Sequence, residues 1–292
     1  MISQTFRSAF RFLKSHRTRI LCMHIRQLSF ETLRFRKPIF FTPGLSLGLW
    51  GFAKKDGSSN DLRIEKAGII AKADALYENG EYQKLYGILN NYRNSHDDEI
   101  LWRLSRAVYS LAKTASDSEA KKMFNDAYDI ITEALSINPN NWAVHKWMAV
   151  IIDKKSSYDG MKARIKELNR VKEHMLKASE LNPNDATVLY MLGHWCYSVS
   201  DLAWYQRKIA STIFGKVPDS SFEEALQYFK AAEKVEPMFY GDNLLFLGKT
   251  YLKLNQKDEA IKYLKMAAEY PAKNDDDHKA KQEATKILGT LH

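Results

Sequence analysis

Three times in this chain an alanine stands five residues before a proline: Ala134 before Pro139, Ala178 before Pro183 and Ala232 before Pro237. Each pair closes a stretch with the 3.6-residue apolar period of a helix. The small side chain lets one helix lie close on its neighbour. The proline, preceded by Asn or Glu, stops that helix and turns the chain into the next. A chain that repeats this ending stacks helical hairpins, each burying its apolar face on the one beside it. The expected class is all-α, an α-solenoid.

The units follow from the tails. Leu247, Gly248 and Tyr251, then Ala260, Leu264 and Ala267, then Pro271 fill the period of about 34 residues that marks a tetratricopeptide-type hairpin. Leu192, Gly193, Ala225, Phe229, Ala232 and Pro237 form another unit; Met148, Ala149, Met175, Ala178 and Pro183 a third; Ala107, Ala127, Ile131, Ala134 and Pro139 a fourth. A degenerate first unit keeps Ala73, Tyr77, Gly80, Tyr82, Leu85 and Leu89 but has Asp97 where proline is expected. About five hairpins result, closed by a capping helix over 279–291 with Ala280, Ala284, Ile287 and Leu288 inward. Gly248 and Ala260 are read as points of close backbone approach. Successive prolines are 44 and 54 residues apart, so two units are expected to carry insertions between their helices. The longer insertion, around 198–221, is expected to include an extra helix ending near Gly215 and Pro218, because long structureless loops are rare inside compact domains.

Charge separates the amino terminus from the rest. Residues 1–60 hold eleven of the 44 Lys and Arg but only two of the 35 acids, Glu31 and Asp56, which leaves thirty-three of each sign for 61–292. The basic balance therefore belongs to the terminus, and the repeat region offers no global positive field for nucleic acid. No acid occurs before Glu31, while Arg7, Arg11, Lys14, Arg17, Arg19 and Arg26 alternate with Ser and Thr. That is the composition of a mitochondrial presequence, with Phe6, Ala9, Phe10 and Leu13 on one helical face. A disordered basic tail, or one that lies on tubulin's acidic surface, is the alternative. Residues 1–37 are thus expected to be a mitochondrial-type targeting segment, disordered or cleaved. Residues 38–53 carry no charge but are short for a bilayer span and contain two prolines and three glycines, so membrane association stands against a plain apolar linker. A hinge to residue 60 precedes the repeat region of 61–292.

Three blocks carry a resemblance: His145-Lys146-Trp147; Gly193-His194-Trp195-Cys196-Tyr197 followed by Trp204-Tyr205-Gln206-Arg207; and residues 243–254, Asn-Leu-Leu-Phe-Leu-Gly-Lys-Thr-Tyr-Leu-Lys-Leu. With them the stretch from Arg63 to Leu291 resembles the regulator of microtubule dynamics family. The resemblance implies a microtubule-associated repeat protein linked to the spindle and to mitochondria, with tubulin as partner. Another member of that family anchors in the outer mitochondrial membrane, tethers it to the endoplasmic reticulum and binds phospholipid through its repeats. Its tethering motif needs acids around a Phe-Phe pair. Here Phe40-Phe41 has basic flanks, so tethering is not carried over.

Catalysis finds no support in the residues. His194 and Cys196 are two apart in a helical pattern and point roughly 200° away from each other. No phosphate loop, paired-carboxylate signature or serine elbow appears, and no metal or cofactor is expected. The two cysteines, Cys22 and Cys196, make no disulfide framework. Repeat register instead turns Tyr77, Lys146, Tyr190, His194, Tyr197, Lys249 and Lys253 toward a groove suited to an acidic peptide tail or an anionic phospholipid, against an ordinary solvated groove. Residues 153–177 carry eight bases and four acids. Within them Lys162, Arg164, Lys166, Arg170 and Lys172 form the candidate patch for tubulin, against a helix face laced with ion pairs. In the long insertion Trp204, Tyr205, Arg207 and Lys208 set aromatics beside bases, which suits a membrane surface or an acidic partner. Two functions follow: a non-enzymatic microtubule-binding scaffold at mitochondria and spindle, or a phospholipid-binding or transfer module at a mitochondrial membrane.

Overall fold

A computed structural model describes residues 58–214, 217–272 and 275–291. The expectations for 1–37 and 38–53, and Cys22, lie outside the described residues. Two compact units divide the chain, one within Arg34–Asn138 and the other with Pro139–His292. Every regular element described is helical.

In the first unit α1 (Ser58–Glu78) and α2 (Tyr82–Leu89) form the degenerate hairpin, followed by a 3-10 turn (Asn90–Tyr92), α3 (Asp98–Ala112) and α4 (Asp117–Ile137). Asp97, which stands in the place of a proline, does the opposite work. Its side chain accepts from the backbone N–H groups of Glu99 (3.1 Å) and Ile100 (3.3 Å) and so starts α3. Leu101, Leu104, Ala107, Phe124, Ala127, Ile131 and Ala134, from α3 and α4, are wholly buried between the two helices.

The second unit contains α5 (Trp142–Tyr158), α6 (Met161–Leu181), α7 (Ala186–Ser200), α8 (Trp204–Phe214), α9 (Phe222–Val235), α10 (Gly241–Lys253), α11 (Lys257–Glu269) and α12 (Asp275–Gly289). Helices α5 and α6, α7 and α9, and α10 and α11 are the three hairpins, and α12 packs on α10 and α11 as the cap. That cap begins four residues earlier than its apolar pattern suggested, because Asp275, Asp276 and Asp277 occupy its first turn, where carboxylates suit unpaired N–H groups.

The alanine–proline tails have one geometry. The N–H of the residue four beyond each alanine closes the last helical bond: Asn138 to Ala134 O (3.0 Å), Asn182 to Ala178 O (2.9 Å) and Glu236 to Ala232 O (3.1 Å). The next residue is the proline, which has no N–H to continue. Two residues after Pro139 and Pro183, Asn141 and Asp185 cap the following helix through their side chains. All three alanines are fully buried.

One expected insertion is absent. The 44 residues from Pro139 to Pro183 are taken up by long helices, 17 residues in α5 and 21 in α6, joined across Asp159 and Gly160. Gly160 sits at φ +96°, where a side chain would be strained. The other insertion holds α8, which ends at Phe214 beside the expected Gly215. Arg207 pins it by donating to Val199 O (2.8 Å), Pro218 O (2.7 Å) and the Asp219 carboxylate (3.0 Å). Helix α8 also packs on α6.

Candidate functional site

Tyr190, His194 and Tyr197 stand at i, i+4 and i+7 of α7 and so share one face. Phe246 of α10 meets all three: ring centroids are 6.4 Å from Tyr190, 4.7 Å from His194 and 5.2 Å from Tyr197. Phe229 stacks under Phe246 at 5.7 Å, Tyr240 meets Tyr190 edge-on at 5.1 Å, and Phe222 meets Tyr197 at 5.3 Å. Edge-to-face contacts of this kind add to the area buried. Lys249 lies 4.7 Å above the Phe246 ring and binds Glu283 (2.7 Å); Lys253 lies 5.6 Å above Phe222 and binds Asp201 (2.5 Å). Five of the seven expected groove residues therefore converge, as an aromatic floor with two lysines at its rim. Phe246 and Tyr240 were not among the expected groove residues: Phe246 is an aromatic on a helix, which looks like core, and Tyr240 stands just before α10, outside any helical register. The signal that finds Phe246 is its place three residues before Lys249 on one face of α10.

Charge on this face comes from the rim alone. Burial, with the positive charges of Lys249 and Arg164, pulls the His194 imidazole down to about 3. Burial raises the Tyr190 and Tyr197 hydroxyls above their ordinary value. All three are neutral near pH 7. Cys196, on the opposite side of α7, is buried, and burial pushes its thiol up to about 12. His194 and Cys196 are thus neither adjacent nor charged for nucleophilic work.

The remaining two groove expectations lie elsewhere. Lys146 is buried, bound to Asp185 at 2.8 Å and 5.3 Å from the Trp142 ring, so its charge is spent joining α5 to the start of α7. Tyr77 belongs to the first unit, where Arg106 covers its ring at 3.8 Å. Arg106 and Arg103 share Asp74: Arg103 donates through Nε and Nη2 (3.1 and 2.9 Å) and Arg106 through Nη2 (2.9 Å). Burial alone would raise the Asp74 carboxyl, but its bonds to the two guanidiniums hold it below the ordinary range. This cluster fastens α1 to α3.

The candidate basic patch is thinned in the same way. Arg164 is 4% exposed and donates to Asp153 through Nε and Nη2 at 3.0 to 3.3 Å, which removes it from the surface. Lys172 binds Glu224 (2.7 Å) and covers the Trp195 ring at 4.6 Å. Lys162 and Lys166 are exposed on α6, with half-buried Arg170 a turn further, 3.5 Å from Glu167. In the insertion Trp204 and Tyr205 are exposed, Lys208 is exposed, and Arg207 is committed to holding α8. Among the described residues no three His, Cys, Asp or Glu side chains are grouped to hold a metal ion, and no helix is long and apolar enough to cross a membrane.

One carboxylate at the rim gives a pH test. Asp242, in the first turn of α10, is raised to about 6: burial and the negative charges of Asp276 and Glu283 outweigh the Tyr240 hydrogen bond and Lys249. Folded protein therefore keeps this proton where the unfolded chain, at the ordinary 3.8, has released it. Stability from this group is present below 3.8 and is lost as pH rises through about 6. Asp242→Asn is expected to be more stable than the parent at pH 8 by on the order of 1–2 kcal/mol. Near pH 3.5 urea unfolding should find the two alike; an equal gain at both pH values would refute the assignment.

The comparisons with known proteins agree in direction. Residues 69–292 match the family described as Regulator of microtubule dynamics protein 1-3. The chain is 46% identical over 222 residues to Regulator of microtubule dynamics protein 1 of Bos taurus, covering 75% of this chain and 70% of that one. The Mus musculus protein of that name is 46% identical over 225 residues, covering 76% and 74%. Regulator of microtubule dynamics protein 2 of Bos taurus is 34% identical over 228 residues, covering 76% and 55%. Among solved structures, a thermophilic TPR protein of Thermus thermophilus superimposes with a TM-score of 0.52 at 16% identity, covering 75% and 98%. That likeness speaks to the fold.

Proposed function

The chain belongs to the Regulator of microtubule dynamics protein 1-3 family, and from that premise we propose that it is a non-enzymatic scaffold that holds microtubules through the acidic tails of tubulin. The observation that carries this reading is the exposed side of α6. Lys162 and Lys166 face solvent there, a turn apart, with half-buried Arg170 a turn further, while Arg164 and Lys172 are taken up by Asp153 and Glu224. Exposed lysines leave their charge available to a flexible acidic chain and give a salt-dependent, fast association. The aromatic floor of α7 and α10, with Lys249 and Lys253 at its rim, is the second surface, suited to a short segment of a spindle or mitochondrial partner.

Co-pelleting with microtubules tests it. Reversing Lys162, Lys166 and Arg170 to Glu in the full chain is expected to weaken binding by roughly tenfold or more and to flatten its salt dependence. Microtubules whose acidic tails have been removed by protease should bind the parent as poorly as intact ones bind the variant. Unchanged pelleting of the triple variant would sink the proposal.

A further inference from the structure

The inserted helix α8 interrupts the repeat, and five of its seven described side chains are exposed. Its inward side is Arg207, fixed to three acceptors, and Ala210, which is fully buried. Its outward side begins with Trp204, 76% exposed, and Tyr205, 42% exposed, whose rings meet edge-on at 6.1 Å. Lys208 follows one turn after Trp204, and Ser211 and Thr212 continue the exposed side. An indole left three-quarters in water on a helix otherwise latched in place by hydrogen bonds marks a contact surface.

Charge points to the partner. Helix α8 holds two bases and no acid. It follows the carboxyl end of α7 and packs on α6. Helix α6 is the one on which Lys162 and Lys166 are exposed. Trp204 and Tyr205 thus protrude beside the exposed Lys208, while the charge of Arg207 is met by Asp219. Peptides are held in grooves. A bilayer surface is broad, takes protruding Trp and Tyr at headgroup depth, and draws lysines to anionic lipid.

We propose that α8 is a peripheral docking helix for anionic membrane surfaces, with Trp204 and Tyr205 entering the headgroup layer and Lys208 supplying charge. It extends the scaffold reading and does not depend on it.

The test uses the full chain and vesicles of phosphatidylcholine with or without phosphatidylserine. Trp204 is one of six tryptophans, so its emission is taken as the difference between the parent and Trp204→Phe. That difference is expected to shift to shorter wavelength and to be quenched by brominated lipid only when phosphatidylserine is present. Co-flotation should fall about tenfold or more for the double variant W204A/Y205A, and also for Lys208→Glu. These exposed positions leave folding intact, checked by circular dichroism. Because Trp204 reports only its own surroundings, membrane binding by other parts of the chain does not mimic the signal. A Trp204 signal that ignores the vesicles, or responds equally to neutral ones, overturns the proposal. A response to poly-glutamate but not to vesicles assigns α8 to an acidic peptide and overturns it as well.

Discussion

Removing the Asp153 carboxylate is expected to cost the 139–292 unit about 3–5 kcal/mol, the usual range when one partner of a buried ion pair is deleted. Asp153 and Arg164 are each 4% exposed, and the guanidinium donates to both carboxylate oxygens. Asp153→Ala leaves a positive charge in a site that water scarcely reaches, where it costs far more than it would outside. Arg164→Met strands the opposite charge and is expected to cost as much. The double variant, Asp153→Leu with Arg164→Met, should recover most of the loss, since matched apolar side chains carry no stranded charge. Urea unfolding followed by helical circular dichroism measures all three. Single losses below about 1 kcal/mol would show that the pair carries little of the α5–α6 seam. The same experiment separates packing from binding, because Arg164 lies in the stretch whose charge count marked it as a microtubule contact.

The second large effect lies where two helices touch through glycine. A Cβ on Gly248 would stand 2.6 Å from Leu264 Cγ and 3.2 Å from the Leu264 backbone nitrogen. A Cβ on Gly193 would stand 2.6 Å from Phe229 Cδ1, and its three nearest atoms all belong to that ring. Either alanine is expected to cost about 1–3 kcal/mol, and valine more. The remedies differ. Phe229→Leu should relieve part of the Gly193→Ala penalty, because the obstacle is a side chain that can be shortened. Leu264→Ala should relieve less of Gly248→Ala, because the amide nitrogen of the facing helix remains. Thermal unfolding of the two double-variant cycles checks this contrast, and equal rescue at both sites would contradict it.

What was legible in the chain follows from what each signal encodes. The alanine–proline tails place three helix ends correctly because capping is local: the last carbonyl, the cap N–H and the proline lie within six residues. Repeat register also carried Tyr190, His194, Tyr197, Lys249 and Lys253 onto one surface. Charge counting failed where partners are distant in sequence. Arg164 finds Asp153 eleven residues back, Lys146 finds Asp185 at thirty-nine and Lys172 finds Glu224 at fifty-two. Nothing in a run of bases reveals which of them will meet an acid after folding. Proline spacing misled once for a related reason: a longer helix lengthens the interval as surely as an inserted segment does. The absence of proline and the single Gly160 between residues 140 and 182 was the cue for long helices.

Helix α8 also bears on the order in which the molecule assembles. The α5–α6 and α10–α11 pairs close across turns of two or three residues, so each forms from contacts near in sequence, the kind that settle quickly. Helices α7 and α9 must find each other across residues 201–221, a longer loop whose closure is entropically dearer, and their seam is tight enough to press Gly193 against Phe229. Arg207 shortens that search, since its bonds to Val199 and Pro218 draw the two ends of the loop together. The α7–α9 hairpin is accordingly expected to close after the other two, and with it the aromatic face in which Phe246 stacks on Phe229; pulse-labelling hydrogen exchange that protects α7 and α9 as early as α5 and α6 would contradict this.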